Sequence, residues 1–310
     1  PCYVLGRNVN AMAMLRHLPF LAVLDDAAQP GEIWHGLPVQ PVSSALDGAA
    51  VVNAVLHRRP QQAMHRLAAI GRGSVVLSSS DFTRHDSVRF LPLPFVTECR
   101  NVFLRRLDSF ARVASMLADD ESRKVFSDLL LYRLTGDAAF MQGYTLRDES
   151  QYFDVPIVLP DHPGFVDGGA YRGETSMLFH EYCPRHGAIH VFEPNAGSLA
   201  SAKFLLAMIP DVAFHPYALG DGFADLAFDD SAANASRIAD SGAAKVRMVP
   251  LDAIVDGQAD FIKFDLEGFE TRALQGCRRT IHDSHPAMAI CVYHHVADFV
   301  DVPETVLGIR

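Results

Sequence analysis

The run Phe165-Val166-Asp167-Gly168-Gly169-Ala170-Tyr171-Arg172-Gly173 constrains this chain more than any other segment. A short apolar stretch ends on an acidic residue, and three glycines follow just ahead of a helical pattern. Glycines let the backbone turn through conformations closed to other residues, and the helix behind them offers unsatisfied amides to a ligand. This is the strand-turn-helix opening of a nucleotide-binding β-α-β unit. Taken alone, the pattern also fits an empty left-handed turn. The next strand, however, ends Val191-Phe192-Glu193-Pro194-Asn195, so an acidic residue follows about 20 positions beyond the glycines, where such folds hydrogen-bond ribose hydroxyls.

Alternation of strand and helix patterns runs through most of the chain. In the C-terminal half, strands are expected at 165–167, 188–193, 212–217, 261–264 and 287–293, with helices from 174, over 197–208 and over 269–276. A strand pair is expected around 224–228 and 246–249. The N-terminal segment repeats the theme, with strands at 1–5, 20–24, 49–55 and 74–78 and helices at 11–17 and 61–70. Between them, Leu104, Leu107, Phe110, Ala111 and Ala114 recur at helical spacing, as do Val125, Phe126, Leu129, Leu130 and Leu134. Asp119-Asp120-Glu121-Ser122 supplies cap chemistry for the second of these helices. The expected fold is α/β: two Rossmann-like doubly wound parallel sheets joined by a helical connector. The domains read as 1–95, 96–160, where Pro156 and Pro160 lead onward, and 161–310.

With 310 residues, 49% of them hydrophobic and 21% charged, the chain has material for a large core. Its formal net charge of -10 excludes a surface built to neutralise nucleic-acid phosphates or an anionic membrane. The expected partner is therefore a small molecule or a saccharide, and self-association into a homo-oligomer is left open. Five scattered cysteines without a CxxC pair indicate neither zinc site nor disulfide framework. With no spanning apolar run and no secretory leader in the sequence as given, a cytoplasmic location is expected. The chain opens directly on a strand pattern at Pro1, which suggests that residues before it have been removed.

Two further motifs carry chemistry. Ala218-Leu219-Gly220-Asp221 is read as the end of the third strand, where Asp221 either borders an adenine ring or sits in a plain turn. Phe261-Ile262-Lys263-Phe264-Asp265-Leu266-Glu267-Gly268-Phe269-Glu270 brings Asp265 to the carboxyl end of a central strand, the edge at which open α/β sheets act. Glu267 and Glu270 suit the first turn of the helix behind it, and Glu270 is read as structural. Lys263, in an otherwise apolar strand, requires a partner carboxylate because an unpaired buried ammonium is too costly.

These ordered motifs resemble the FkbM family of class I methyltransferases, over about residues 120–310. The carrying residues are the loop 167–173, Phe192-Glu193-Pro194-Asn195, Ala218-Leu219-Gly220-Asp221 and Ile262-Lys263-Phe264-Asp265-Leu266-Glu267-Gly268, with Tyr132-Arg133-Leu134-Thr135-Gly136-Asp137 and Tyr152-Phe153 upstream. Many members are sugar O-methyltransferases. The resemblance implies S-adenosylmethionine as cofactor, with Asp167, Gly169 and Gly173 at its methionine part, Glu193 at its ribose and Asp221 at its adenine. The full expected binding set is Asp167, Gly168, Gly169, Ala170, Gly173, Glu193, Asn195 and Asp221.

Methyl transfer to a hydroxyl needs alignment of the reactants and a general base. Asp265 and His294, the latter in Val292-Tyr293-His294-His295, are the candidates. A divalent cation on Asp265, His294 and Asp298 is the alternative; those residues belong to different elements, and the site is read without a metal. Class I methyltransferases add a strand pair after the fifth strand, whereas only residues 296–310 follow here, so the sheet is expected to be truncated or closed in another way. The segment Leu5-Gly6-Arg7-Asn8-Val9-Asn10-Ala11 with Asp25 and Asp26 reads either as a nucleotide or nucleotide-sugar site or as a ligand-free domain. An NAD-type oxidoreductase and a non-catalytic assembly module remain the competing functions; the loop lacks GxGxxG spacing, which disfavours the former.

Overall fold

The structure is a computed structural model that describes residues 1–55, 60–68, 74–86, 90, 94–144, 150–153, 157–229, 237–238, 244–256 and 259–309. The expected helix end at 69–70 and the Pro156 turn lie outside the described residues. The chain divides into two compact units, Pro1–Leu146 and Arg147–Arg310. Among the described residues no helix is long and apolar enough to cross a membrane.

The first unit runs β1 (Cys2–Leu5), α1 (Val9–Leu15), β2 (Ala22–Leu24), β3 (Ile33–Trp34), β4 (Leu37–Gln40), β5 (Ala50–Asn53), α2 (Pro60–Ala68), β6 (Val75–Ser78) and α3 (Ser79–His85). Helices α4 (Pro94–Arg105), α5 (Leu107–Met116) and α6 (Asp120–Thr135) complete it. Its sheet has the order β3-β4-β2-β1-β5-β6, parallel except for the β3 edge. The central strands are continuously apolar because both faces are covered: Val4, Val23, Val51 and Val52 are all buried. Helix α6 starts where the expected cap stands, with Asp119 accepting from the Ser122 amide at 2.7 Å, and it stops at Gly136 in the left-handed region. Helix α3 escaped the periodicity reading because Phe82 is its one large apolar residue. Its signal is the capping box of Ser78 and Asp81.

The second unit runs β7 (Phe165–Gly168), α7 (Glu174–Tyr182), β8 (Ile189–Phe192), α8 (Ala196–Leu205), β9 (Val212–His215), β10 (Ala218–Leu219), β11 (Ala224–Asp229), β12 (Arg237–Ile238) and β13 (Ala244–Val249). Strand β14 (Phe261–Phe264), α9 (Glu270–Gln275), α10 (Arg278–Ser284), β15 (Ala287–Ile290) and α11 (Asp298–Ile309) follow. Five of these strands form a wholly parallel sheet in the order β15-β14-β7-β8-β9. The first strand in sequence is central, so the carboxyl ends of β7, β8 and β14 share one edge. That is the edge at which a doubly wound sheet binds ligands.

One expectation needs correcting. Ala218-Leu219-Gly220-Asp221 does not end the third strand: β9 stops at His215, and Ala218–Leu219 pairs with Met248–Val249 in a separate sheet of order β10-β13-β11-β12. Pro216, which has no amide hydrogen to continue the ladder, stands at the break. Strands β11 and β13 pair as expected, and the pairing is antiparallel.

The main sheet is held by alternation of its buried strands. Phe165 faces Phe179 at 4.3 Å and Phe261 at 5.4 Å between ring centres, and Phe153 meets Phe261 at 5.7 Å. Val166, Ile262 and Phe264 point the other way, onto Leu274, Ile281 and Val302. Each such side chain contributes about 1.5–3 kcal/mol by leaving water. This packing fixes the β7 and β14 ends on which the polar residues stand.

Candidate active site

Pairing of β7 with β14 sets Asp167 beside Lys263 and Gly168 beside Phe264. Lys263 is buried, as is Asp167, and their charges meet at 3.1 Å from Nζ to Oδ1. The ammonium also donates to the carbonyls of Gly169 at 2.8 Å and Gly168 at 3.2 Å, while Asp167 Oδ2 accepts from Ser176 Oγ of α7 at 2.7 Å. The partner that Lys263 was expected to need is thus Asp167. Removed from water, either charge alone would carry a desolvation cost of several kcal/mol. Together they pin the start of the glycine loop to β14 and to α7.

The glycines answer to the chain's own packing. Gly169 has φ +71°, and a Cβ there would lie 1.9 Å from the Asp265 carbonyl oxygen. Only glycine lets the loop pass this close to the end of β14. Gly173, the N-cap of α7 at φ +90°, leaves room for Ala202 and Leu206 of the neighbouring α8. The amides of Gly169 and Ala170 donate to the Phe192 carbonyl at 3.0 and 3.1 Å, fastening the loop to β8. Tyr171, not a glycine, also has a positive φ of 50°. Such a conformation costs about 1–3 kcal/mol and persists only where its surroundings impose it.

What imposes it is Glu193. Buried at the end of β8, its carboxylate accepts from the Tyr171 amide at 2.9 Å through one oxygen and from the Asn195 amide at 2.7 Å through the other. Burial raises its pKa above the usual carboxylate value, and the two amide hydrogen bonds work against that shift. Asn195 caps α8, its Oδ1 accepting from the Ser198 amide at 2.9 Å. In front of the loop lies a cavity of about 190 Å³ bordered by Tyr152, Gly169, Ala170, Tyr171, Glu174 and Asp265, among others.

Asp265 stands just past the end of β14 and gathers the rest of the site. It accepts from the Tyr293 hydroxyl at 2.9 Å and from the Tyr152 hydroxyl at 3.2 Å. Desolvation and the Asp265 charge push both phenols above their ordinary range, so both stay protonated donors. Cys291, buried beneath, is pushed up to about 12 by desolvation and Asp265 and remains a neutral thiol. His294 brings Nε2 to 3.5 Å from Asp265 and 3.6 Å from Glu267, and Nδ1 to 3.1 Å from Glu270. Burial lowers the imidazole's pKa, but the nearby carboxylates of Glu270, Asp265 and Glu267 outweigh it, and the net shift is upward. The two expected candidates for proton transfer, Asp265 and His294, are therefore neighbours.

Residues 167–308 match the family model of the methyltransferase FkbM domain. The chain carries an FkbM-family methyltransferase domain. Over its full length it superposes on the methyltransferase FkbM from Methylobacillus flagellatus KT, with a TM-score of 0.73, 21% identity and 84% of that chain covered. At that identity the likeness shows the fold, and it takes in both units. A Clostridium thermocellum protein with a provisional rRNA-methylase assignment matches 54% of this chain and 83% of its own, at 11% identity and a TM-score of 0.35. No curated protein matches the chain.

Of the expected site residues the cavity lining takes in Gly169, Ala170 and Asp265, while Asp167, Gly168, Gly173, Glu193, Asn195 and Asp221 are not part of it. Asp221 is engaged elsewhere. It is exposed, and its carboxylate is held by Arg272 at 2.6 Å, which lowers its pKa. Glu270, read from sequence as a helix-start residue, does accept from the Leu266 amide at 2.7 Å, yet it is fully buried and touches His294. Asp298 caps the turn before α11, accepting from the His295 amide at 2.7 Å. Sequence reasoning gave no site role to Tyr152, Tyr293, Ser176 or Glu270. The available signal was a tyrosine beside His294; Tyr152, next to the core residue Phe153, carried none of its own. In the N-terminal unit both would-be ribose acids are engaged. Asp25 pairs with Arg7 at 2.7 Å and accepts from the Ala27 amide, and Asp26 pairs with Arg66 at 3.0 Å.

Proposed function

We propose that the FkbM domain transfers a methyl group from S-adenosylmethionine to a hydroxyl oxygen of a saccharide or a related small polyol. The observation that carries this reading is the convergence, at one sheet edge, of the braced glycine loop, the buried Glu193 and the Asp265 cluster.

The residues present suit that cofactor. Each Glu193 oxygen holds one amide and keeps a lone pair for a hydroxyl. The cavity wall combines the carboxylates of Glu174 and Asp265 with the rings of Tyr152, Phe153 and Tyr171, a lining that favours a cationic ligand. Gly168, Gly169, Ala170 and Gly173 would lie under the methionine part, Asp167 would brace them from below, and Glu193 with Asn195 would face the ribose. Asp221 keeps its carboxylate on Arg272. Bound there, S-adenosylmethionine would supply an electrophilic sulfonium methyl for the acceptor oxygen, with the C–S electron pair left on a neutral thioether.

The chain's own residues handle the acceptor. Asp265, held by two tyrosine hydroxyls, is placed to take the hydroxyl proton, and His294 orients it from the opposite side. The acidic surface and polar, aromatic rim favour a neutral polyol over an anionic acceptor.

The test is thermal stabilisation by S-adenosylhomocysteine and by NAD, each at 100 times its dissociation constant, where a bound ligand contributes about 2.7 kcal/mol. Stabilisation by S-adenosylhomocysteine alone is expected. Stabilisation by NAD alone would overturn the reading.

A further inference from the structure

We propose that Asp265, Glu270 and His294 form a binding site for one divalent cation of the first transition row, with Mn²⁺ as its probe. The inference deepens the methyl-transfer reading and rests on it for its purpose, not for its test. One donor atom from each of the three residues lies within 4.8 Å of the other two. In an octahedron with bonds of about 2.1 Å, neighbouring donors are about 3.0 Å apart and opposite donors about 4.2 Å, so a single ion reaches all three after small adjustments.

Charge points the same way. Asp265, Glu267 and Glu270 surround one imidazole at 3.1–3.6 Å. Three carboxylates against at most one imidazolium leave a deficit of positive charge in a half-buried place, where like charges are poorly screened.

A second observation is independent of the clustering. Glu270 is fully buried, yet among the described residues its Oε2 has no hydrogen-bond partner. The Leu266 amide and the His294 ring both approach the other oxygen. A buried anionic oxygen without a partner is costly, and a cation removes that cost.

The surroundings are those a ligated ion needs. Ligating imidazoles donate their second ring N–H to a carboxylate, and ligating carboxylates are themselves hydrogen-bonded. With Nδ1 of His294 on the ion beside Glu270, its Nε2 keeps Glu267, which is not a ligand, as a carboxylate partner. Asp265 is oriented by Tyr152 and Tyr293. One imidazole beside two carboxylates suits a first-row transition ion better than Mg²⁺ or Ca²⁺, which prefer oxygen alone. Three protein donors leave coordination positions open toward the cavity that Asp265 lines, where adjacent hydroxyls of a polyol can chelate and become more acidic.

The experiment uses the full chain, stripped with a chelator and titrated with Mn²⁺, with free Mn²⁺ followed by electron paramagnetic resonance. One Mn²⁺ per chain is expected, weakened at least about tenfold in His294→Ala and in Glu270→Gln. Gln keeps an acceptor for the Leu266 amide, and circular dichroism checks that both variants fold. Asp225→Asn, on an exposed residue of β11, should bind as the parent does. Absence of Mn²⁺ binding, or binding unchanged in both site variants, overturns the inference. S-adenosylhomocysteine stabilisation on the same samples separates the two ideas. If it persists without Mn²⁺ binding, only the cation site falls; if Mn²⁺ binds and S-adenosylhomocysteine does not, only the methyl-transfer reading falls.

Discussion

Lys263→Met should be among the most damaging single substitutions in the second unit, and its cost follows from the geometry. The ammonium is 3.1 Å from Asp167 with both side chains at most 3% exposed. At an effective dielectric of about 20, two charges at this distance attract by about 5 kcal/mol. Removing the cation leaves Asp167 with only Ser176 and strips a donor from the Gly168 and Gly169 carbonyls. Breaking a buried pair in this way costs about 3–5 kcal/mol, so we expect about 4 kcal/mol. For a unit of this size that lowers the melting temperature by about 8–16 °C. The assay is urea unfolding followed by far-ultraviolet circular dichroism, because the sole tryptophan, Trp34, lies in the other unit and reports on that. The double variant Asp167→Leu/Lys263→Met exchanges the pair for apolar groups and should recover at least about 2 kcal/mol of the loss. A Lys263→Met cost below about 1 kcal/mol, or a double variant no more stable than the single one, would refute the ion-pair account.

Gly169→Ala should destabilise by about 3 kcal/mol or more, since its Cβ meets the Asp265 carbonyl, whereas Gly222→Ala, with nothing within 4 Å, should stay within about 0.5 kcal/mol; urea titrations compare the two. In chelator-treated protein the raised pKa of His294 adds stability that is fully present below its unfolded value of 6.5 and disappears as pH rises through the higher folded value. The stability difference between the parent and His294→Gln should therefore shrink from about pH 6 upward, and a difference that grows with pH contradicts the carboxylate nest. Asp221→Ala should cost less than about 1 kcal/mol, as exposed pairs do, and change S-adenosylhomocysteine affinity by less than about threefold; a larger calorimetric loss returns Asp221 to the adenine site. Glu193→Gln should weaken the same ligand by about tenfold or more, because an amide cannot accept from Tyr171, Asn195 and a ribose at once.

By itself the sequence determined the α/β class and the succession of strands and helices along the chain, and it named candidate site residues. Apolar runs such as Phe261-Ile262 and Val191-Phe192, broken by glycines and caps, encode local burial, and local burial suffices for a doubly wound sheet. It also stated a requirement, a carboxylate for Lys263, without saying which one. Only the tertiary structure supplied Asp167, 96 positions away, because strand order decides which residues are neighbours and no local period records it. The same cause moved Ala218–Leu219 into a second sheet and turned Glu270 from a helix-start residue into part of the His294 cluster. Composition and spacing named a candidate edge; the pairing of β14 alongside β7 decided which side chains meet there.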